Sequence, residues 1–296
     1  MAISSADRLG EARPWPRSRL RGLTTPRSWP VVAGLIALWV GGLIMVVPFL
    51  WMVISSFKSA EEILSLPPTF LPNDPTLENY RAIFQGGFGR YMLNSIVVTT
   101  ATTVSIVFSS AALGYVFAKI QFVGRDLIFV AFLATMALPF EVLAIPLLIM
   151  FEPLGAVDHE WGLVVPFMVD VFAVYICRQF MASIPNDYLD AARMDGLGDF
   201  GIFWRIVLPM SRPAVAAVAI LSFLYNWDQL FWPLVLITSQ ENATVPLGIV
   251  DLSTQFGPIY NLTMAASTIT VAPTVIVFFV FRRQFVEGMM MQGLKG

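Results

Sequence analysis

Residues 31–54 read VVAGLIALWVGGLIMVVPFLWMVI, a run without a single charge. A helix rises about 1.5 Å per residue and the hydrocarbon core of a bilayer is about 30 Å thick, so about 20 apolar residues cross it. A helix in the core of a soluble protein is rarely this long and this uniformly apolar. Pro48, near the far end, is a tolerated kink rather than a stop. Working outward from this run, five more of similar character follow: Met92 to Ala118, Leu127 to Met150, Trp161 to Met181, Ala214 to Ile237 and Leu262 to Phe281. The expected fold class is therefore an all-α integral membrane protein with six transmembrane helices.

Composition agrees. Of 296 residues, 57% are hydrophobic and only 13% charged, about half the charge of an ordinary soluble domain. That balance excludes intrinsic disorder and nucleic-acid binding through a basic surface, and the single Cys177 excludes a fold stapled by internal disulfides. The net charge of −2 matters less than where the charges sit. The N-terminal segment, the second-to-third loop, the fourth-to-fifth loop and the tail together hold fifteen Lys and Arg; the opposite side holds only Lys58, Arg81 and Arg90. Positive charge stays inside, so both termini are expected in the cytoplasm, and an even number of spans agrees.

The expected organisation is an Arg- and Pro-rich cytoplasmic segment over 1–30, a transmembrane domain over 31–281 and a cytoplasmic tail over 282–296. The first segment serves as an orientation signal. It is not expected to be a cleaved signal peptide, because the apolar run after it is too long and lacks a small-x-small cleavage site. No internal repeat is visible, so an inverted-repeat transporter receives no support.

The most informative stretch joins the fourth and fifth runs: RQFMASIPNDYLDAARMDGLGDFGIFWRIVLPMSRP, residues 178–213. Two membrane helices could be joined by far fewer residues. Ser183 or Asn186 can cap a short helix that runs from Asp187 to Met194 and stops at Gly196. Asp199 can cap a second, whose Phe200, Phe203, Trp204, Val207 and Leu208 fall on one stripe and which Pro209 ends. Such a pair either lies on lipid headgroups or fits a groove on a soluble partner.

At these residues the chain resembles the permeases of binding-protein-dependent ABC importers. Asp190-Ala191-Ala192, Asp195-Gly196, Ile206, Leu208-Pro209 and Pro213, preceded by Ile184-Pro185 and Leu189, resemble the family's EAA signature. The likeness continues in Asn79-Tyr80, Asn94-Ser95, Gly114-Tyr115, Phe122, Gly124-Arg125, Pro139, Ile145-Pro146-Leu147, Leu154-Gly155, Trp227 and Pro233-Leu234, and the tail from Gly288 to Lys295-Gly296 is similar to the family's ending. It is closest to the carbohydrate branch, in particular the second permease of maltose-type systems.

The resemblance implies a type I importer permease fold with a coupling loop at about 183–209. Its partners would be a homologous second permease, two cytoplasmic ATPases and an extracytoplasmic binding protein, in a bacterial inner membrane. Asp190, Ala191, Ala192, Asp195, Gly196 and Pro209 would then meet an ATPase, with Lys295 and Gly296 reaching toward it. Asp190 replaces the usual Glu and Leu197 the usual Ala.

The chain has no G-x-x-x-x-G-K-[ST] phosphate cradle, so no cofactor is expected on it; ATP and Mg belong to the partner subunits. His159 lacks the companions of a metal site or catalytic triad, and no metal site or enzymatic activity is expected. A solute path is expected to show as polar groups that are costly in lipid, about 2.5–3.5 kcal/mol for Asp at a span centre. Glu141, Asp170 and Asp228, the last with Asn226, Trp227 and Gln229, are the candidates. Each could instead serve interhelical hydrogen bonding, and Trp161, Trp227 and Trp232 could stack on a sugar or anchor at the interface.

Three acids without an intramembrane Lys or Arg would repel an anionic solute and suit a neutral polyol or a cationic amino sugar, and the resemblance to the carbohydrate branch implies a sugar or oligosaccharide. The alternatives are a phosphorylated polyol such as glycerol phosphate, or, in a different class, an ion-coupled secondary transporter.

Overall fold

A computed structural model describes the backbone of residues 29–255 and 259–293 and the side chains of residues 29–252 and 259–281. The regular elements among the described residues are all helical, with no strand among them. In order they form α1 (Trp29–Ser55), α2 (Ala60–Ile63), α3 (Glu78–Gln85), α4 (Phe88–Lys119), α5 (Arg125–Ala134), α6 (Phe140–Phe151), α7 (Glu160–Val164) and α8 (Val171–Ala182). There follow α9 (Asn186–Met194), α10 (Asp199–Ile202), α11 (Leu208–Met210), α12 (Arg212–Trp227), α13 (Phe231–Leu236), α14 (Val245–Gln255) and α15 (Tyr260–Gly293). The chain divides into two compact units, Met1–Leu50 and Trp51–Gly296. Helix is the expected outcome, because without water only hydrogen bonds inside the segment can satisfy an apolar stretch of backbone.

Among the described residues three helices, Trp29–Ser55, Phe88–Lys119 and Tyr260–Phe281, are long and apolar enough to cross a membrane alone, and three bent pairs raise the number to as many as six. The third expected span, Leu127 to Met150, is not one helix: it turns by 97° between Arg125–Ala137 and Phe140–Leu154. Leu138 is extended because Pro139 follows it, and Pro139 then begins the next helix. The fourth, Trp161 to Met181, bends by 43° where Asp170 starts α8 afresh. The fifth, Ala214 to Ile237, begins at Arg212, stops at Asp228 and restarts as α13, since a continuous helix would drive the Pro233 ring into the Gln229 carbonyl.

The breaks separate two cores. One gathers Phe88, Tyr91, Phe151, Leu163, Trp232 and Leu236, drawn from α4, α6, α7 and α13. The other, at the end carrying the 183–209 insert, gathers Ile106, Tyr115, Cys177, Leu189, Ile202 and Val218, from α4, α8, α9, α10 and α12. A smaller cluster of Phe117, Phe129 and Val174 packs α5 at the insert end. Each broken span thus places one half in either end of the molecule, whereas α4 runs through both.

Polar contacts fix the end away from the insert. Asn79 donates to the Ser56 and Lys58 carbonyls at 2.8 Å and accepts from Asn261 at 2.7 Å, joining α3 and α15 to the segment after α1. Lys58 is fully buried, its Nζ donating to the Thr69 carbonyl and lying 4.7 Å from the Trp51 ring centroid.

Asp158, with φ +58°, accepts the Thr238 and Ser239 N–H groups and the Ser239 hydroxyl at 3.1, 2.9 and 2.9 Å. Burial pushes its pKa up, but the bonds from Ser239, Thr238 and Asn242 outweigh it and hold the carboxyl below its ordinary value. A depressed folded-state pKa gives stability that is present above the unfolded value of about 3.9 and is lost as pH falls through the folded one. The loop tie should therefore hold at neutral pH and loosen only below about pH 4. Asp158→Asn, which tolerates the same backbone, should loosen it already at pH 7. Proteolytic nicking across 238–243 measured against pH checks this; identical profiles for both proteins would refute it.

Candidate functional site

The insert packs on the α4 and α8 ends. Leu189 and Ala192 of α9 are buried, as are Ile202, Phe203 and Val207. Helix α9 ends where the Gly196 N–H bonds the Arg193 carbonyl and the Leu197 N–H that of Ala192, a geometry that requires the left-handed φ of +84° at Gly196. Leu197, the departure from the usual Ala, packs against the insert-end core, which accounts for its size. Arg193 joins the two helices, its Nη1 lying 3.1 Å from Asp190 and its Nη2 3.2 Å from Asp199. The bonds to Asp199 foremost, then to Asp190, raise the guanidinium pKa further above its already high value.

The expected caps are corrected. The N-cap of α9 is Pro185, without a side-chain bond, and the Asn186 side chain instead accepts from Lys119 Nζ at 2.9 Å. Gly198, not Asp199, caps α10, while the Asp199 carboxylate is taken by Arg193. Pro209 does not end the second helix, which continues to Met210; the turn before it widens to a π-helix over Phe203–Val207, because proline cannot donate to Arg205 and would crowd its carbonyl. The widening splits the expected stripe. Phe203 and Val207 go into the core, whereas Phe200 is 78% and Trp204 42% exposed.

The outward face that results carries Asp190, Ala191, Asp195, Gly196, Phe200 and Trp204 at its surface, with Met194 88% exposed. Ala192, grouped with the outward residues in the sequence, faces the core. Lys295 and Gly296 lie outside the described residues. Tyr115 and Lys119 of α4, counted in the sequence only as a motif match and a positive charge, hold this body in place: Tyr115 donates to the Asp199 carbonyl at 3.3 Å and Lys119 to that of Ile184 at 2.5 Å. Nothing in a linear pattern links residue 119 to 184.

The three acids each stand at a break between the two cores. Glu141 lies exposed in the first turn of α6 after Pro139. Asp170, expected near a helix middle, is the N-cap of α8, its Oδ1 accepting the Ala173 N–H at 2.5 Å. Asp228, expected inside the fifth span, follows the last turn of α12 and is exposed. Asn226, Trp227 and Gln229 are brought together with Thr99, Thr244 and Trp232 around a cavity of about 20 Å³, room for one water and far too small for a sugar. Trp227 and Trp232 do not offer faces for stacking: both are fully buried, their Nε1 donating to Thr270 and Gly162 carbonyls at 3.1 and 2.9 Å. A larger apolar groove of about 750 Å³ opens on the side, between Val107 and Phe108 of α4, Trp204, and Val215 and Ala219 of α12.

Interrupted apolar helices with acids at the interruptions, joined to a folded loop with an exposed acidic and aromatic face, define a membrane-transport subunit. Irregular backbone at that depth is tolerated only where protein or a wet cavity covers it. More particularly, the chain belongs to the family of binding-protein-dependent transport system inner membrane components, whose pattern matches residues 110–290. It is 35% identical to the arabinooligosaccharides transport system permease protein AraQ of Bacillus subtilis (strain 168), over 86% of this chain and 92% of that one. To the diacetylchitobiose uptake system permease protein NgcG of Streptomyces coelicolor it is 36% identical over 88% and 86% of the two chains, and to the sn-glycerol-3-phosphate transport system permease protein UgpE of Yersinia pestis 32% identical over 86% and 94%. The fold matches a chain of a bacterial ABC transporter involved in import of the acidic polysaccharide alginate, with a TM-score of 0.76 and 24% identity over 88% of this chain and 99% of that one.

Proposed function

We propose that this chain is the membrane-spanning subunit of an ATP-driven importer for a neutral sugar or oligosaccharide delivered by an extracytoplasmic binding protein. The observation that carries the reading is the insert: a pair of helices, anchored by Leu189, Ala192, Ile202 and Val207, that presents Asp190, Met194 and Phe200 outward. Exposed Met and Phe beside a carboxylate fit a groove on a soluble ATPase better than free solvent. The side with the insert and the excess of Lys and Arg is cytoplasmic, with both termini there.

ATP and Mg bind the ATPase pair, and its closure moves the docked insert. The breaks at 138–139, 168–170 and 228–230 supply hinges between the two cores. The open apolar groove supports packing against a homologous permease or lipid.

Glu141, Asp170 and Asp228 at the hinges would meet the solute as they are uncovered, and carboxylates accept hydrogen bonds from hydroxyls while repelling phosphate. That favours a neutral sugar over glycerol phosphate, although relatives named for both exist. Asp170→Asn separates charge from structure, since Asn caps a helix as well as Asp while Ala costs about 1 kcal/mol. If Asp170 lines the path, Asp170→Asn should change uptake selectivity across a panel of labelled oligosaccharides with no change in thermal midpoint; an unchanged profile would leave it a cap. The function itself is tested by uptake in liposomes. Transport should require ATP and the co-purified ATPases, and uptake by this chain alone on an ion gradient would show a secondary transporter instead.

A further inference from the structure

We infer that α4 is the strut through which the far segment 239–247 and the coupling loop respond to one another, with Asn94 and Lys119 as positioning residues at its two ends; the inference rests on the importer reading above. The third and fourth spans bend by 97° and 43° between the two cores, and the fifth stops at Trp227 and restarts at Phe231, so an axial push on one of them is absorbed as bending at its break. Helix α4 has no such break over its 32 residues. At about 1.5 Å per residue it exceeds the hydrocarbon core by more than half, so it is long enough to reach past the core at both ends.

Both ends are bonded to loops. At the insert end Lys119 donates to the Ile184 carbonyl and the Asn186 side chain, beside the first coupling helix, and Tyr115 donates to the Asp199 carbonyl at the start of the second. At the far end Asn94, 1% exposed, uses its amide to donate to the Glu241 and Ala243 carbonyls at 2.8 and 2.9 Å. One turn earlier Arg90 Nε donates to the Glu241 carbonyl at 3.3 Å, and the Ser95 hydroxyl accepts the Val245 N–H at 2.8 Å. The strut thus grips both coupling helices on one side and, on the other, the backbone that leads into α14. Buried side chain to backbone bonds of this kind break only at a cost, so a shift of α4 carries the segment with it.

The test uses the complete transporter in nanodiscs, with MgATP and vanadate as the probe and hydrogen exchange as the readout. In the wild type, trapping the ATPases should change protection both over 186–202 and over 239–247. In Asn94→Ala the response over 186–202 should persist while that over 239–247 falls about fivefold or more, the low end of ordinary coupling factors. Lys119→Gln should do the same, and Lys119→Arg should restore the response. A merely structural role would lower protection in both states alike and leave the nucleotide-dependent difference intact. Should Asn94→Ala fail to assemble, Ser95→Ala, which removes one acceptor, serves in its place. A far-segment response of wild-type size in these variants would overturn the strut while leaving the importer reading standing; no response over 186–202 in the wild type would overturn both.

Discussion

Replacing Gly114 by leucine is expected to leave no folded subunit in the membrane. A Cβ at Gly114 would stand 2.6 Å from Cys177 Cβ and 3.0 Å from the Arg178 backbone nitrogen. The opposing atoms belong to the α8 backbone and its first side-chain carbon, so no rotamer change relieves the overlap. Small residues at helix crossings are how membrane helices approach closely enough to gain dispersion energy. Overpacking a well-fitted site typically costs about 1–3 kcal/mol and more when backbone must move, and leucine adds three carbons beyond the one that already collides. Because α4 and α8 together carry the insert, the damage would reach the 183–209 segment as well. Gly114→Ala should give partial loss, visible as a lower thermal midpoint of the detergent-solubilised protein. A Gly114→Leu protein with wild-type yield, size-exclusion profile and midpoint would mean that the two helices do not cross this closely.

The second large effect is expected at Asp190. Its pair with Arg193 is exposed on both sides, 66% and 47%, and such pairs contribute about 0–1 kcal/mol, so Asp190→Lys should insert and melt like the wild type. Transport is another matter. If the carboxylate meets a basic group on the ATPase, reversing its charge sets like charges together at an interface, which costs several kcal/mol, and uptake should fall by about a hundredfold or more. Measuring protein level, midpoint and ATP-dependent uptake together separates the two effects. Normal uptake would move the ATPase contact away from this residue, and a collapsed midpoint would show that the Asp190–Arg193–Asp199 bridge holds the insert together.

The bridge also shows where sequence reading stops. Asp190, Arg193 and Asp199 were each visible as charges, and Asp190 as the motif's acid. That one guanidinium would serve both carboxylates depended on Gly196 turning the chain back with φ +84°. The cap at Asp170 and the π-turn before Pro209 are similar cases: the residues that cause them are plain in the sequence, but the result depends on which of several local hydrogen bonds the packed neighbours permit.

The sequence by itself determined the membrane class, the six apolar runs, the uneven spread of Lys and Arg between alternate loops, the position of the folded insert and the family signature within it. Each of these follows from transfer free energies or from local backbone preference, which act residue by residue along the chain. Only the tertiary structure decided that three spans break between two cores, that all three candidate acids stand at those breaks, that Trp227 and Trp232 are buried rather than offered to a solute, and that Tyr115 and Lys119 clasp the insert. Those outcomes depend on close packing and hydrogen bonding between residues far apart in the chain, and a periodicity of 3.6 contains no record of which distant neighbour a side chain will meet.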